Sequence, residues 1–180
     1  MPRTAAGKGK TVFVTVGTTL FEALIDAVTN ASVLEKLQTL GFTKLVIQYG
    51  KGKQPSIPDK YSGNNAVLQV EMYNFKPSLT DDLVAADWIV GHAGAGTVSE
   101  TLAFPHKKLV VVINTALMHN HQSELAQAMG DRDHLYVVEQ PQDLFDRSTW
   151  DKIASFVPIP LQTGDAYDFP GLLNAFINDS

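Results

Sequence analysis

At 180 residues, 44% hydrophobic and 18% charged, the chain has apolar content for one globular domain with a sizeable core and too little length for a second. A formal net charge of −5 argues against a nucleic-acid surface, and the absence of cysteine excludes disulfides, thiolate metal sites and cysteine nucleophiles while permitting a reducing compartment. No apolar run approaches the roughly 20 residues that span a bilayer, and no signal-type apolar segment follows the basic residues of the start, so a membrane role must come through a partner.

Residues 1–10, with Pro2, Gly7 and Gly9 among basic side chains, have nothing to bury and read as a flexible lead-in. Thr11 to Val16 is the first strand. Its β-branched run stops at Gly17-Thr18-Thr19, after which Leu20, Ala23, Leu24, Ala27 and Val28 recur at helical spacing. This turn is no dinucleotide fingerprint, since Thr19 and Glu22 stand where the second and third glycines belong. Leu45 to Ile47 marks the second strand. Gln48-Tyr49 after it supplies no acid to grip a ribose hydroxyl, so a nicotinamide dinucleotide is not expected. Gly50 to Asn65 has the composition of a surface loop, either a lid or an insertion. Ala66 to Val70 is the third strand, Glu71 to Phe75 a polar and aromatic turn, and Leu79 to Ala86 a helix behind Pro77 and Ser78.

The next apolar run, Ala86 to Val90, leads into Gly91-His92-Ala93-Gly94-Ala95-Gly96-Thr97-Val98-Ser99-Glu100. Strand, glycine loop and helix start in succession make an anion site, because the glycines clear the backbone and the new helix points unpaired N–H groups at the same place. Thr97 with Glu100 also reads as a capping box, which needs no ligand. Against that stands His92, a polar ring at the strand's C-terminal end, where ligands bind in open α/β sheets.

The helix runs to about Phe104, where Pro105 stops it, and Lys108 to Ile113 is the fifth strand. A polar connection from Asn114 to Asn120, a helix from Gln122 to Met129, a short strand from Leu135 to Val138 and a helix from Pro141 to about Phe156 follow. Alternation of this kind predicts an α/β fold: a Rossmann-like, mostly parallel sheet of about six strands with helices on both faces, over residues 11–156. The site should form from the loops after strands one, four and five. Residues 157–180 read as a linker and a C-terminal helix, with Phe169, Leu172, Leu173, Phe176 and Ile177 on one face. That stripe either covers the domain's own core or docks on a partner.

Together, Phe13-Val14-Thr15-Val16-Gly17-Thr18, His92-Ala93-Gly94-Ala95-Gly96 and Met118-His119-Asn120-His121-Gln122 resemble the C-terminal, sugar-nucleotide-binding half of GT-B glycosyltransferases of the family 28 type. They are most similar to the small soluble subunits that add the second N-acetylglucosamine to dolichyl-diphosphate-N-acetylglucosamine in asparagine-linked glycan assembly. Thr97-Val98-Ser99-Glu100 also resembles the bacterial enzyme that glycosylates the peptidoglycan lipid precursor.

The resemblance implies a donor, UDP-N-acetylglucosamine, with no further cofactor and no metal. It implies that Gly94, Ala95, Gly96 and Thr97 hold the diphosphate beside Gly17 and Thr18, with His92 reaching a phosphate oxygen. Glu100 would accept from the ribose hydroxyls, Phe75 would line the uracil pocket, and Gln122, with Asn120 and His121 as neighbours, would bind the donor sugar. His92 and Gln122 are the residues nearest the chemistry. The acceptor-binding half is absent from 180 residues, so the resemblance implies a membrane-anchored partner subunit, a lipid-linked sugar acceptor and recruitment from the cytoplasm to the cytosolic face of the endoplasmic reticulum. No carboxylate is placed by motif as the base, which can lie on the partner. Competing readings are an exopolysaccharide UDP-sugar transferase subunit and a non-catalytic nucleotide-binding module. His119-x-His121 lacks a third convergent ligand, and Asp131-x-Asp133, similar to a metal motif of another glycosyltransferase fold, falls in a helix-to-strand turn; both read as solvated.

Overall fold

The computed structural model of the chain describes residues 9–63, 65–114 and 120–161, with 120–122 as backbone. Six strands, β1 (Lys10–Thr15), β2 (Phe42–Gln48), β3 (Gln69–Tyr73), β4 (Trp88–His92), β5 (Lys108–Val112) and β6 (Tyr136–Val138), form one sheet. Its order is β3-β2-β1-β4-β5-β6 and every neighbouring pair is parallel, so the expected α/β architecture of about six strands stands. The helices are α1 (Glu22–Thr29), α2 (Ala31–Thr39), α3 (Thr80–Ala85), α4 (Ala95–Leu102), α5 (Asn120–Gly130) and α6 (Arg147–Ser155).

Alternation along β1 sends side chains to two cores. Val12 and Val14 pack with Leu24 and Ile25 of α1, Leu34 and Leu37 of α2 and Trp150 of α6. Phe13 between them packs with Leu83 of α3, Val98 of α4 and Leu125 of α5 on the other face. A strand buried on both faces reads as a near-continuous apolar run, as Val12 to Val14 in β1 and Leu109 to Val112 in β5 do.

Several expected boundaries move. The first strand begins at Lys10 rather than Thr11, so that residue belongs to the sheet. α2 is an unforeseen second helix, started by Asn30, whose side chain accepts from the Ser32 N–H at 3.0 Å. The third strand spans Gln69–Tyr73 rather than 66–70, and the polar Glu71 is part of it. This strand is an edge, paired with β2 from Lys44↔Gln69 to Gln48↔Tyr73, so Glu71 can face solvent and pair with Lys44 at 2.9 Å. The single helix expected from Pro141 is a 3-10 turn, Pro141–Phe145, followed by α6, which Asp146 caps by accepting from the Ser148 N–H at 2.8 Å.

The start of the expected linker is tied to the domain, since the Ile159 N–H donates to the Asp133 carbonyl at 2.8 Å and the Ile159 carbonyl lies 2.7 Å from His134 Nδ1. The lead-in at 1–8 and the apolar stripe at 169–177 lie outside the described residues.

Candidate functional site

In the sheet order, β1 and β4 are neighbours whose following helices leave to opposite faces, which opens a crevice at their C-terminal ends. β1 ends at Thr15, level with Gln48 on one side and Gly91 on the other. Beyond it the chain turns at Gly17, whose φ of 59° is a left-handed conformation that favours glycine.

A cavity of about 310 Å³ opens here, lined by Gly17, Thr18, Gln48, Phe75, Glu100 and the turn from Lys76 to Thr80. Of the expected site residues, the fold thus brings Gly17, Thr18, Phe75 and Glu100 to one place from the loops after β1 and β3 and from α4. Phe75 is 47% exposed, a large aromatic left uncovered on the cavity wall. Its N–H donates to Asn74 Oδ1 at 2.8 Å, which shapes the turn that presents the ring.

His92 adjoins this cavity without lining it. Its ring packs against Gly17, where an added Cβ would lie 3.1 Å from Cε1, and against Gly94, where an added Cβ would lie 2.3 Å from Nε2. Among the described residues Nδ1 is buried without a hydrogen-bond partner. Burial holds the imidazole below its ordinary pKa of 6.5, and the nearby Thr15 carbonyl, outside hydrogen-bond geometry with Nδ1, opposes that shift only in part. Burial thus favours the neutral ring.

α4 begins earlier than the sequence suggested. Gly94 is its N-cap, with φ −68° and ψ 128°, and no side chain caps it. Thr97 is thus the third helical residue, and the capping-box alternative is corrected: Glu100 is free of that role and lines the cavity instead. Gly94, Ala95, Gly96 and Thr97 are not among the described lining residues of this cavity, and Gly94 packs against His92 instead. The Val98 N–H returns to the Gly94 carbonyl at 3.0 Å, so the N–H groups of Ala95, Gly96 and Thr97 precede the first intrahelical bond. Among the described residues, a Cβ at Gly96 would meet nothing within 4 Å.

Asn120, His121 and Gln122 form the first turn of α5 after β5, and their side chains lie outside the described residues, as does His119. Asp131 and Asp133 stand in the turn entering β6, at the N-terminal end of the parallel strands. Among the described residues no group of three or more His, Asp or Glu side chains converges.

Two features escaped the sequence reading. Lys76, on the cavity wall, places Nζ 2.8 Å from Asp82 Oδ2 and 4.0 Å above the Tyr73 ring. Burial first, then the hydrogen bond to Asp82, hold the Tyr73 hydroxyl protonated well above its usual range. The other is Gln48, 1% exposed, which bonds to Thr15, Gly17 and Asn74. A polar residue ending an apolar strand was the signal that singled out His92, and it applied to Gln48 too.

Residues 11–149 match the glycosyltransferase family 28 C-terminal domain. The chain is 45% identical over 127 residues to the human UDP-N-acetylglucosamine transferase subunit ALG13, an alignment covering 71% of this chain and 11% of that protein. It is 35% identical over 127 residues to the ALG13 subunit of Yarrowia lipolytica, covering 70% of this chain and 63% of that one. The chain therefore spans about a tenth of the human relative's length and under two thirds of the yeast one's.

Among solved structures, the NMR solution structure of ALG13 superposes with a TM-score of 0.66 at 20% identity, covering 94% of this chain and 96% of that one. MurG of Acinetobacter baumannii superposes at 0.56 and 20% identity, covering 83% of this chain and 45% of that one. At such identity the likeness is one of fold. A switch-point crevice behind a glycine-led helix, within a sequence match that runs from the first strand into the last helix, makes this chain a member of the glycosyltransferase family 28 through its C-terminal domain.

Proposed function

We propose that this chain is the donor-binding, catalytic subunit of a heteromeric glycosyltransferase that moves N-acetylglucosamine from UDP-N-acetylglucosamine to dolichyl-diphosphate-N-acetylglucosamine. The observation that carries the reading is the cavity of Gly17, Thr18, Phe75 and Glu100 at the switch point of a family 28 domain. Relatives named as UDP-N-acetylglucosamine transferase subunits support the choice of donor.

In this reading uracil packs on Phe75 and the ribose hydroxyls donate to Glu100, whose carboxylate accepts them. The diphosphate lies between the Gly17-Thr18 turn and the N–H groups of Ala95, Gly96 and Thr97. When the bond from the anomeric carbon to UDP breaks, negative charge grows on the diphosphate as the sugar becomes oxocarbenium-like. Fixed N–H groups at a helix start stabilise that charge without reorganising, each desolvated contact contributing on the order of 1 kcal/mol or more. His92, whose ring packs against Gly17, serves as a hydrogen-bonding group there. Asn120, His121 and Gln122 meet the donor sugar. The reading requires no metal and leaves the acceptor and its base to a membrane-anchored partner, which draws the chain to the cytosolic face of the endoplasmic reticulum. The stripe at 169–177 is the proposed contact to that partner.

The test is a thermal-shift series with UDP-N-acetylglucosamine, UDP-glucuronate, UDP and NAD, followed by transfer to the lipid-linked acceptor in the presence of the membrane subunit. A ligand held at 100 times its dissociation constant adds about 2.7 kcal/mol. Stabilisation by UDP-N-acetylglucosamine and transfer are expected. Stabilisation by UDP-glucuronate instead favours an exopolysaccharide enzyme, and binding without transfer to any acceptor favours a nucleotide-binding module.

A further inference from the structure

Gln48 ends β2 beneath the cavity, and its side chain uses its full hydrogen-bonding capacity. Oε1 accepts from Thr15 Oγ1 at 2.6 Å and from the Gly17 N–H at 2.9 Å. Nε2 donates to the Gly17 carbonyl at 2.8 Å and to the Asn74 carbonyl at 2.7 Å. Thr15, Gln48 and Tyr73 are register partners across β1, β2 and β3, and beyond them backbone bonds run from the Val16 N–H to the Gln48 carbonyl at 3.3 Å and from the Tyr49 N–H to the Tyr73 carbonyl at 3.0 Å. Further on, the chain from β1 turns at Gly17, two residues past Thr15, and the chain from β3 turns at Asn74, one past Tyr73. The amide adds one more rung there, joining two turns whose strands are separated by β2 itself.

We infer that Gln48 is a positioning residue that sets the separation of the Gly17-Thr18 turn and the Asn74-Phe75 turn. Those turns form two walls of the cavity, so their spacing determines the length of ligand the cavity accepts. Resting on the donor reading, the two ends of that ligand are the diphosphate at Gly17 and the base at Phe75. A ligand that spans both turns depends on the spacing, whereas a ligand that occupies one does not.

The full chain and two variants are titrated with UDP, uridine and pyrophosphate. Q48M fills the same volume without polar atoms, and Q48N keeps the amide but shortens its reach to Gly17 and Asn74 by one methylene. In both, UDP binds at least about tenfold more weakly while uridine and pyrophosphate each stay within about twofold, because linked binding is lost when the two sites fall out of register. A domain that is merely destabilised loses all three ligands by the same factor, and that result overturns the inference. Loss confined to one fragment makes Gln48 a local support for a single turn and overturns it as well. If the wild-type chain binds no UDP, the donor reading falls, and the inference is decided by amide hydrogen exchange. Exchange at Gly17 and at Phe75 must then quicken together in Q48M, and unchanged exchange at either turn overturns the inference.

Discussion

A Cβ placed on Gly94 would stand 2.3 Å from Nε2 of His92, two residues earlier in the same connection from β4 to α4. The imidazole would have to shift to admit it, and the same ring also packs against Gly17, where an added Cβ would lie 3.1 Å from Cε1. Gly94 thus leaves room for the protein's own histidine, whereas a Cβ at Gly96 would meet nothing within 4 Å among the described residues.

Two glycines of one motif should then respond in opposite ways. Gly94→Ala is expected to destabilise the domain by about 1–3 kcal/mol through overpacking. Gly96→Ala, inside α4, is expected to stabilise it by about 0.5–1 kcal/mol and yet weaken UDP binding, since its methyl group enters the proposed diphosphate space. Urea midpoints and UDP titrations of both variants check this. Destabilisation by Gly96→Ala, or unchanged UDP affinity in that variant, contradicts the assignment.

His92 also imposes a pH dependence. Its folded-state pKa lies below the ordinary imidazole value of 6.5, so the unfolded chain takes up the proton first. The stability tied to the neutral ring is fully present above 6.5 and is lost as pH falls through the depressed value. Unfolding free energies measured from neutral to mildly acidic pH should drop more steeply for the wild type than for H92N. Parallel profiles would remove His92 as the source.

Glu100 lines the cavity and belongs to no capping box, so replacing it should leave the helix intact. Glu100→Gln is expected to weaken UDP binding about tenfold through loss of charge-assisted hydrogen bonds to the ribose. Stability should change by no more than about 0.5 kcal/mol. Calorimetric titration and a urea melt of the same sample provide both readouts, and a stable variant with wild-type affinity would remove Glu100 from the site.

Adjacent lysines entering β5 secure helices on opposite faces. Lys107 Nζ donates to the carbonyls of Val84 at 2.8 Å and of Ala86, at the end of α3. Lys108 Nζ donates to the carbonyls of Ile153 at 2.6 Å and Ala154 at 2.8 Å, in the last turn of α6, and lies 4.7 Å from the Trp88 ring centroid. Burial first, then Lys10, lower the Lys108 pKa. Lys108→Met should cost about 1–2 kcal/mol, because a charged donor to orphan helix carbonyls is lost. Denaturant unfolding tests it, with UDP affinity expected to be unchanged.

What the sequence alone determined is what periodicity and strand ends encode locally. Apolar runs alternating with helical spacing specify a parallel α/β sheet, and Gly17 and His92 were legible as a glycine and a polar residue at strand ends, whereas Phe75 and Glu100 entered only through the family resemblance. The tertiary structure decided what depends on partners distant in the chain. Gln48 reaches Gly17 across 31 residues and Asn74 across 26, and no local pattern reports such a bond. The third strand slid to Gln69–Tyr73 because its limits are set by pairing with β2 rather than by its own residue types. Gly94 and Gly96 looked alike in sequence, yet only packing separates the glycine that makes room for His92 from the one where a Cβ would meet nothing within 4 Å among the described residues. Backbone propensity acts over a few residues, whereas register, burial and close approach are settled by what the fold brings alongside.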